Sequence, residues 1–218
     1  MESYVDTSRV SIRPIYKALA RDIIEKNHYS GRLSSCRYPL GVFYQTDNQH
    51  QFFDDTEEKL IGVACYGFPV GRGGNGSIFK EEILENKNIL ELTRLFIHDG
   101  YGKNIESHVI SSTFKWLKQN APNIKVLVSY ADPEQSHDGA IYSKYGSAAP
   151  KNLIKAIGQS FWLKKEATKH RYIYFLGNKT ENRKFRKVMK HPEMKYPKNY
   201  VQEVEITKIE VENNKWEN

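Results

Sequence analysis

A glycine-bearing turn between a predicted strand and a predicted helix is the first segment that could bind a ligand. It spans residues 98–104 and contains Gly100, Gly102 and Asn104. The free N–H groups and the dipole at a helix N-terminus favour a phosphate or pyrophosphate group. Similar turns also join strands to helices that bind nothing, so the turn alone leaves both interpretations open.

Two carboxylates lie on or directly after predicted central strands. Asp132 follows one such strand, and strand ends in an open sheet border the crevice where ligands bind. Because it precedes Pro133, Asp132 could also be a turn residue or a helix cap. Glu91, on a neighbouring predicted strand, could act as a base through a water molecule. It could equally be an outward-facing carboxylate paired with Arg94 or a lysine.

The elements that must position these residues are helices and strands in mixed order. They are predicted from apolar residues at helical spacing and from short apolar runs between turn residues. The helix after the third strand leads into the fourth, which indicates a parallel crossover. The fold class is therefore α/β or α+β, a mixed central sheet flanked by helices. The predicted elements span 15–27, 40–44, 60–68, 89–97, 104–119, 124–130, 139–145, 157–163, 171–176, 182–190 and 201–211.

Length and composition favour one domain in a reducing compartment. A chain of 218 residues can bury enough surface to need no disulfide or metal for stability. No apolar run approaches the length of a transmembrane helix, and the N-terminal residues lack the features of a signal peptide. Cys36 and Cys65 show no metal-ligand or disulfide spacing. We therefore expect a cytoplasmic protein with no membrane partner.

The net charge of +7 is concentrated near the C-terminus. Between residues 164 and 198, twelve Lys or Arg residues face three glutamates, which gives this segment a charge of +9. A basic block of this kind is the usual electrostatic signature of a nucleic-acid partner. The alternative is a solvated face that only keeps the protein soluble.

The segment 140–146, which contains Tyr142, resembles part of the GNAT acyltransferase fold. In that family a pyrophosphate-binding turn and a helix join two strands, and a short helix follows whose tyrosine protonates the departing CoA thiolate. Tyr142 matches this tyrosine with one residue fewer before it. The usual acetyl-CoA turn is incomplete here, because only its two glycines and Asn104 remain. Tyr142 could otherwise simply pack its helix on the sheet.

Further short motifs follow one another over most of the chain, from residue 23 to 197. They occupy 28–32, 91–96, 104–107 and 128–132, then His137, Gly139, Ile141 and Tyr142, and finally 170–172. In this order and spacing they resemble the Mom family of phage DNA-modification proteins, itself GNAT-like. The resemblance implies modification of adenine N6 in double-stranded DNA to a carbamoylmethyl (methylcarbamoyl) derivative, which blocks restriction nucleases. It also implies acetyl-CoA or a related acyl-CoA, iron, and action in the cytoplasm of a phage-infected bacterium.

Carried over residue by residue, the resemblance places His28, Tyr29 and Asp132 at the chemical centre and Tyr142 at the acyl-CoA end, with Glu91 as a further catalytic candidate. Imidazole, phenolate and carboxylate together would suit an iron ion. Without a metal, His28 and Asp132 would form a base and its orienter. His28 could instead be a helix-terminal residue that interacts only with the dipole. The cofactor-binding residues expected are Gly100, Gly102, Asn104, Ser107, Ser129 and Tyr142.

Adenine N6 is a weak nucleophile inside the duplex, so an enzyme normally flips the base into a pocket. Tyr29, Tyr66, Phe68 and Tyr130 are candidates to stack on it, although each could be a core residue. The residues expected to contact DNA are Arg32, Arg72, Lys164, Lys165, Lys169, Arg171, Arg183, Lys184, Arg186 and Lys187.

We expect residues 1–178 to form the catalytic domain, with the basic helix and C-terminal edge strand of 179–218 packed on the same domain. Two other functions stay open at this point. One is an acyl-CoA-dependent N-acetyltransferase acting on a protein or small-molecule amine. The other is a non-catalytic DNA-binding module with the same fold.

Overall fold

The computed structural model of the chain describes residues 4–46, 57–69, 73–131, 152–157, 160–165, 170–193 and 206–210. The elements alternate irregularly between strands and helices, with two short 3-10 turns at Thr7–Arg9 and Asn86–Asn88. In chain order they are β1 (Val10–Pro14), α1 (Lys17–Asn27), β2 (Tyr38–Thr46), β3 (Glu57–Gly67), α2 (Asn75–Ile78), β4 (Ile89–Ile97), α3 (Ile105–Asn120), β5 (Val126–Ala131), β6 (Asn152–Ile157), β7 (Ser160–Lys165), β8 (His170–Phe175), α4 (Lys179–Lys187) and β9 (Ile206–Glu210).

A mixed six-stranded sheet forms the core, in the order β1-β2-β3-β4-β5-β8. The first four strands pair antiparallel, whereas β4 and β5 pair parallel. A parallel pair needs a crossover connection, and α3 supplies it. The predicted α/β class and the predicted crossover are therefore confirmed.

The chain divides into two compact units. The first comprises Met1–Ser129 and Ile173–Pro192, and contains most of the large sheet with α1 to α4. The second comprises Tyr130–Tyr172 and Glu193–Asn218, and contains a three-stranded antiparallel sheet in the order β6-β7-β9. The domain boundary expected after residue 178 stays a prediction.

Helices α1 and α3 cover opposite faces of the large sheet. Ala20 and Ile24 of α1 form a buried cluster with Val63 of β3, and Phe96 of β4 packs against it. Buried residues of α3 form another cluster, with Leu95 and Ile97 of β4 packed against it. Successive strand residues point to opposite faces, so the alternation along β4 separates an α1 face from an α3 face.

Two β-bulges shift this alternation. Val42 pairs with Gly62 and Phe43 with Leu60, so Ile61 is an extra residue in β3. In the same way Cys65 pairs with Arg94 and Tyr66 with Leu92, so Thr93 is an extra residue in β4. A bulge inserts one residue opposite a single residue of the partner strand. Side chains on its two sides therefore change face relative to a regular strand.

The structure departs from the prediction mainly in two strands that were not predicted and in the bounds of later elements. Strand β1, which ends at Pro14, was not predicted, and the basic helix begins at Lys179 rather than at residue 182. The strand predicted over 157–163 corresponds to β7, which begins three residues later at Ser160, whereas β6, which ends at Ile157, was not predicted. The helix predicted over 139–145 lies outside the described residues. In the part of the chain that the structure describes, no helix is both long and apolar enough to cross a membrane.

Candidate functional site

His28 is the C-terminal cap of α1, and its backbone N–H donates to the Ile24 carbonyl at 3.0 Å. Its imidazole ring stacks on the neighbouring Tyr29 ring, with the centroids 4.3 Å apart and the planes inclined by 30°. Tyr29 is 62% exposed, whereas His28 is partly buried. The helix end therefore presents an imidazole and a phenol side by side.

Ser30 determines which nitrogen of the His28 ring carries hydrogen. Its backbone N–H donates to Nδ1 at 3.1 Å, and its hydroxyl lies 2.9 Å from the same atom. A nitrogen that accepts from an amide has no hydrogen of its own, so the neutral ring is protonated on Nε2. In this arrangement the neutral His28 ring accepts a hydrogen bond at Nδ1 and carries its hydrogen on Nε2.

The same geometry tests the predicted iron site. With Nδ1 engaged by Ser30 and Nε2 carrying hydrogen, the neutral ring of His28 has no lone pair ready for a metal. Among the described residues, no group of three or more His, Cys, Asp or Glu side chains could hold a metal ion. Asp132 lies outside the described residues. The described part of the predicted site, His28 and Tyr29, therefore does not fit iron.

A chain of hydrogen bonds links the end of α1 to the central sheet. The Ser30 hydroxyl lies 3.3 Å from the Arg32 carbonyl, which also accepts from Nε of Arg94 at 3.1 Å. Arg94 is on β4, and its partner across the ladder is Cys65. The segment that carries His28 is thus tied to the strand that carries Glu91.

Among the described residues, Glu91 is the last residue of β4 that pairs with both neighbouring strands, β3 and β5. It pairs with Gly67 on β3 and with Val128 on β5, and no pairing between β4 and β5 continues beyond it in the described residues. The remaining residues of β4, from Leu92 to Ile97, and the end of β5 from Ser129 therefore border an opening between two parallel strands. Ser129, a predicted cofactor residue, is buried at this opening.

The bulge at Thr93 brings Glu91 and Arg94 to one face of the sheet. In a regular strand, side chains three residues apart point to opposite faces of the sheet. The extra residue Thr93 shifts this alternation by one, so Glu91 and Arg94 point to the same face. Phe96, two residues beyond Arg94, packs against the α1 cluster. The carboxylate of Glu91 and the guanidinium of Arg94 therefore both lie on the α1 face, which is also the face of His28.

The Thr93 hydroxyl holds the loop before β2 against this bulge. It lies 2.9 Å from the Ser35 carbonyl and 3.0 Å from the Cys65 carbonyl, and donates to either. Gly67 allows the same close approach, because a Cβ atom there would overlap the backbone of Ser35. Loop residues 28–37 are thus fixed by the sheet beside the strand opening.

The two cysteines are core residues. Cys36 and Cys65 are free and buried in the α1 cluster. The hydrogen bond with Cys36 and burial raise the pKa of the Cys65 thiol. A thiol that stays protonated is a poor nucleophile, and both cysteines are core residues of the α1 cluster.

The glycine-bearing turn follows β4 and leads into α3. Gly100 and Gly102 have φ values of 94° and 95°, and Asn104, the N-cap of α3, has φ 67° with no side-chain capping bond. The Val5 N–H donates to the Lys103 carbonyl at 3.1 Å, so the N-terminal segment lies against this turn. Only residues that tolerate left-handed backbone fit such a sequence of angles. Ser107 is exposed in the first turn of α3.

Helix α4 presents the predicted basic face. A capping box of Asn178 and Glu181 begins it, and Phe185 anchors it between Phe79 and Phe175, at ring distances of 5.9 and 5.5 Å. Phe185 is the buried residue of this helix. The exposed cations of the segment are Lys179, Arg183, Lys184, Arg186, Lys187 and Lys190.

Two of the residues predicted for DNA binding or base stacking are buried. Arg171 is only 8% exposed and precedes the buried Tyr172 in β8, so it is not part of an exposed basic face. Tyr66 is fully buried with its hydroxyl 2.6 Å from the Thr113 hydroxyl, so its ring is a core element.

The remaining predicted contacts are distributed over several elements. Arg32 is exposed, and Phe68 is 38% exposed. Tyr130 lies on β5, and Lys164 and Lys165 belong to β7. The predicted site residues that lie outside the described residues are Asp132, Tyr142, Arg72 and Lys169.

Sequence reasoning missed the residues that connect the site. The groups that make these links are the side chains of Ser30 and Thr93 and the carbonyl of Arg32, and none of them is a typical catalytic group. Their roles depend on contacts between segments that are distant in sequence. Arg94 was considered as a partner for Glu91 and as part of the motif over 91–96, but not as a link to the loop after α1. The nearest sequence signal is the pair of polar residues Thr93 and Arg94, which together with Glu91 interrupt a mainly apolar strand.

The described geometry defines a class of protein: an α/β fold with a mixed sheet and an opening between two parallel central strands. The sequence model of the Mom protein family matches residues 9–146. The chain belongs to this family. The matched range contains His28, Tyr29, Glu91, Asp132 and Tyr142.

One relative is the methylcarbamoylase mom of Escherichia phage Mu, which is 30% identical over 125 residues. That match spans 57% of this chain and 46% of the phage protein, so the chain aligns with less than half of that relative.

Similar solved structures include NAA60 of Arabidopsis thaliana in complex with acetyl-CoA (TM-score 0.44, 14% identity, 76% of this chain and 99% of the other). A second is the spermidine N-acetyltransferase of Vibrio cholerae in complex with CoA and spermine (TM-score 0.46, 11% identity, 78% and 96%). With TM-scores below 0.5, these likenesses transfer no function to the chain.

Proposed function

We propose that this protein is a phage DNA-modification enzyme. It converts the N6 amine of adenine in double-stranded DNA to a carbamoylmethyl (methylcarbamoyl) derivative, and the product protects DNA from restriction nucleases. The observation that carries the proposal is membership of the Mom family over residues 9–146. The methylcarbamoylase of phage Mu supports this reaction through its similarity to the chain. The protein would act in the cytoplasm of an infected bacterium.

The opening between β4 and β5 is the proposed site of an acyl-CoA donor. Among the described residues no pairing between β4 and β5 continues past Glu91, and this supports a place for an extended ligand between the two strands. The glycine-bearing turn and the first turn of α3 follow directly and offer N–H groups to a pyrophosphate. The residues proposed to hold the donor are Gly100, Gly102, Asn104, Ser107 and Ser129, with Tyr142 at its acyl end.

The end of α1 is the proposed site of the adenine. Tyr29 offers an exposed ring on which a flipped base can stack, and the adjacent His28 ring packs against the Tyr29 ring. Removing a proton from N6 needs a base, and the carboxylates of Glu91 and Asp132 are the proposed groups. Glu91 supports this role because it lies at the strand opening, on the same face as His28.

Helix α4 supports contact with the DNA backbone. Its exposed cations outnumber its single glutamate, and the phenylalanine cluster fixes the helix to the sheet. Backbone contacts of this type give affinity that depends on salt and little on sequence.

The test is mass spectrometry of nucleosides from the DNA of cells that express the full chain. We expect a new adenine species, which His28→Ala, Asp132→Ala, Glu91→Gln and Tyr142→Phe each remove. His191→Ala, at an exposed histidine outside the site, is the matched control and should leave the species unchanged.

Unmodified DNA in the presence of folded protein would contradict the proposal. Acetylation of protein or small-molecule amines without DNA would point to an N-acetyltransferase. Duplex binding without donor binding would point to a non-catalytic module.

A further inference from the structure

Arg37 and Phe68 form an exposed arrangement that the proposed reaction does not use. The Arg37 guanidinium carbon lies 5.4 Å from the centre of the Phe68 ring and 5.6 Å from that of Tyr38. Cations within about 6 Å of a ring face are attracted to it. The Tyr38 ring in turn rests edge-on against Trp116, at 6.1 Å and 63°. These four residues, the Arg37 platform, form a continuous cation–aromatic surface.

The backbone holds the Arg37 platform in place. The Arg37 N–H donates to the Tyr66 carbonyl at 2.7 Å, and Tyr38 pairs with Tyr66 in the β2–β3 ladder. Phe68 directly follows the last residue of β3, Gly67, whose lack of a side chain lets the loop pack closely. The backbone that carries Arg37, Tyr38 and Phe68 is therefore held in place, and a preorganised backbone lowers the entropic cost of binding.

The Arg37 guanidinium has hydrogen-bond donors that the described residues leave unused. Among the described residues no carboxylate forms an ion pair with Arg37, and its side-chain hydrogen bond, from Nε to the Tyr38 hydroxyl, is long at 3.5 Å. A guanidinium with donors to spare prefers a bidentate oxyanion such as a phosphate. Phe68 keeps 38% of its surface exposed, so an apolar ring face is available beside that cation.

The Arg37 platform lies next to the strand opening. Gly67 pairs with Glu91, the last residue of β4 that pairs with β5 among the described residues, and Phe68 is the next residue of the chain. Tyr38 pairs with Tyr66, whose hydroxyl contacts Thr113 of α3, so Tyr38 lies on the α3 face, whereas Glu91 lies on the α1 face. A ligand on Phe68 would therefore lie at the end of β3, at the level of Glu91 along the sheet.

We propose that Arg37 and Phe68 bind a nucleotide of the DNA strand, with its base stacked on Phe68 and its phosphate on Arg37. Flat rings and cations arranged in this way bind nucleotides of unpaired strands. A base that flanks the flipped adenine is unstacked and needs such a partner. This inference rests on the proposed function, because it takes DNA as the substrate. The alternative ligand for this surface is the adenine nucleotide of CoA, which also has a flat base and phosphate groups.

The experiment measures binding of the full chain to fluorescently labelled DNA by anisotropy. The probe is a short duplex with a few unpaired nucleotides, and a second probe carries abasic sites at those positions. Phe68→Ala should weaken binding to the first probe about 5- to 150-fold and change binding to the abasic probe by less than about twofold. Arg37→Ala should weaken both and reduce the slope of log K against log salt by about one. Phe68→Tyr should retain binding.

The matched controls are Tyr174→Ala, an aromatic residue of similar exposure (43%), and Arg21→Ala, an exposed arginine of α1. Both should bind like the wild type. Calorimetric titration with CoA distinguishes the two sources, and its affinity should not change in Phe68→Ala. Should Phe68→Ala fail to fold, Phe68→Leu keeps an apolar side chain and removes the ring.

Equal DNA affinity in Phe68→Ala and Tyr174→Ala would overturn the inference, as would a loss of CoA binding in place of DNA binding. The binding assay contains no donor, so it is independent of the reaction. Base-dependent binding without any modified adenine in cells would leave the Arg37 platform standing and refute the proposed function.

Discussion

Replacing Gly67 by alanine tests whether the loop before β2 is held by direct backbone contact with the sheet. A Cβ atom at Gly67 would overlap the carbonyl oxygen of Ser35 and lie 2.5 Å from its carbonyl carbon and 2.6 Å from its Oγ. Backbone atoms cannot rotate away as a flexible side chain can. Overpacking of this kind costs about 1–3 kcal/mol, which in a chain of this size lowers the melting temperature by about 2–12 °C.

Two other glycines provide controls for the same substitution. Gly76, inside α2, has nothing within 4 Å of the point that an added Cβ atom would occupy, so Gly76→Ala should be neutral or stabilise by up to about 1 kcal/mol. Gly31 is equally open but has φ +57°. Gly31→Ala should therefore cost about 1–2 kcal/mol through backbone strain alone.

The assay is urea unfolding with the slope compared between variants, together with nucleoside mass spectrometry. We expect Gly67→Ala to lower the free energy of unfolding and the yield of modified adenine, because the loop with His28 and Arg37 must shift. Wild-type stability and wild-type yield in Gly67→Ala would refute the proposed packing. A loss in Gly76→Ala as large as that in Gly67→Ala would show that the contact is not the cause.

Three further predictions address the remaining parts of the structure. Phe185→Ala should loosen α4 and weaken duplex binding in anisotropy assays, while a normal salt slope and affinity would show that the aromatic anchor is dispensable. Ser30→Ala should reduce the modification yield, because the hydroxyl beside Nδ1 of His28 is lost. An unchanged yield would contradict this and would show that the backbone N–H of residue 30 is enough to orient the ring. The pKa of Glu181 is lowered by the Asn178 N–H and by Lys125. Its stabilisation is therefore present above the ordinary glutamate range and lost as the pH falls through its lowered pKa. Glu181→Gln should flatten that part of the stability profile measured by urea unfolding, and an unaltered profile would contradict this.

The sequence predicts the central elements well because their apolar patterns are long and regular. Strand β4 matches its predicted range of 89–97, and α3 and β5 lie within two residues of theirs. Strand β1 was missed because its five residues include serine, arginine and a terminal proline, a pattern typical of an edge strand and too short to recognise. The turn between β6 and β7 was missed because apolar residues continue on both sides of it.

The site was only partly predictable for a different reason. Residue types indicate His28 and Glu91, but the bulge at Thr93 depends on register, which no local pattern specifies. The tautomer of His28 depends on a single amide two residues away. The burial of Arg171 and of Tyr66 depends on which strand lies next to which, and the charge pattern or aromatic spacing of one chain does not encode that order.

The extra residue in β4 makes the site sensitive to chain length rather than only to residue identity. Deleting Thr93 would give a regular strand with better local pairing, yet it would rotate one half of the strand relative to the other. Glu91 and Arg94 would then point to opposite sides, and either Phe96 would leave its cluster or Glu91 would leave the opening. Insertions and deletions in homologous chains should accordingly be absent between Glu91 and Phe96, even where several individual substitutions are tolerated.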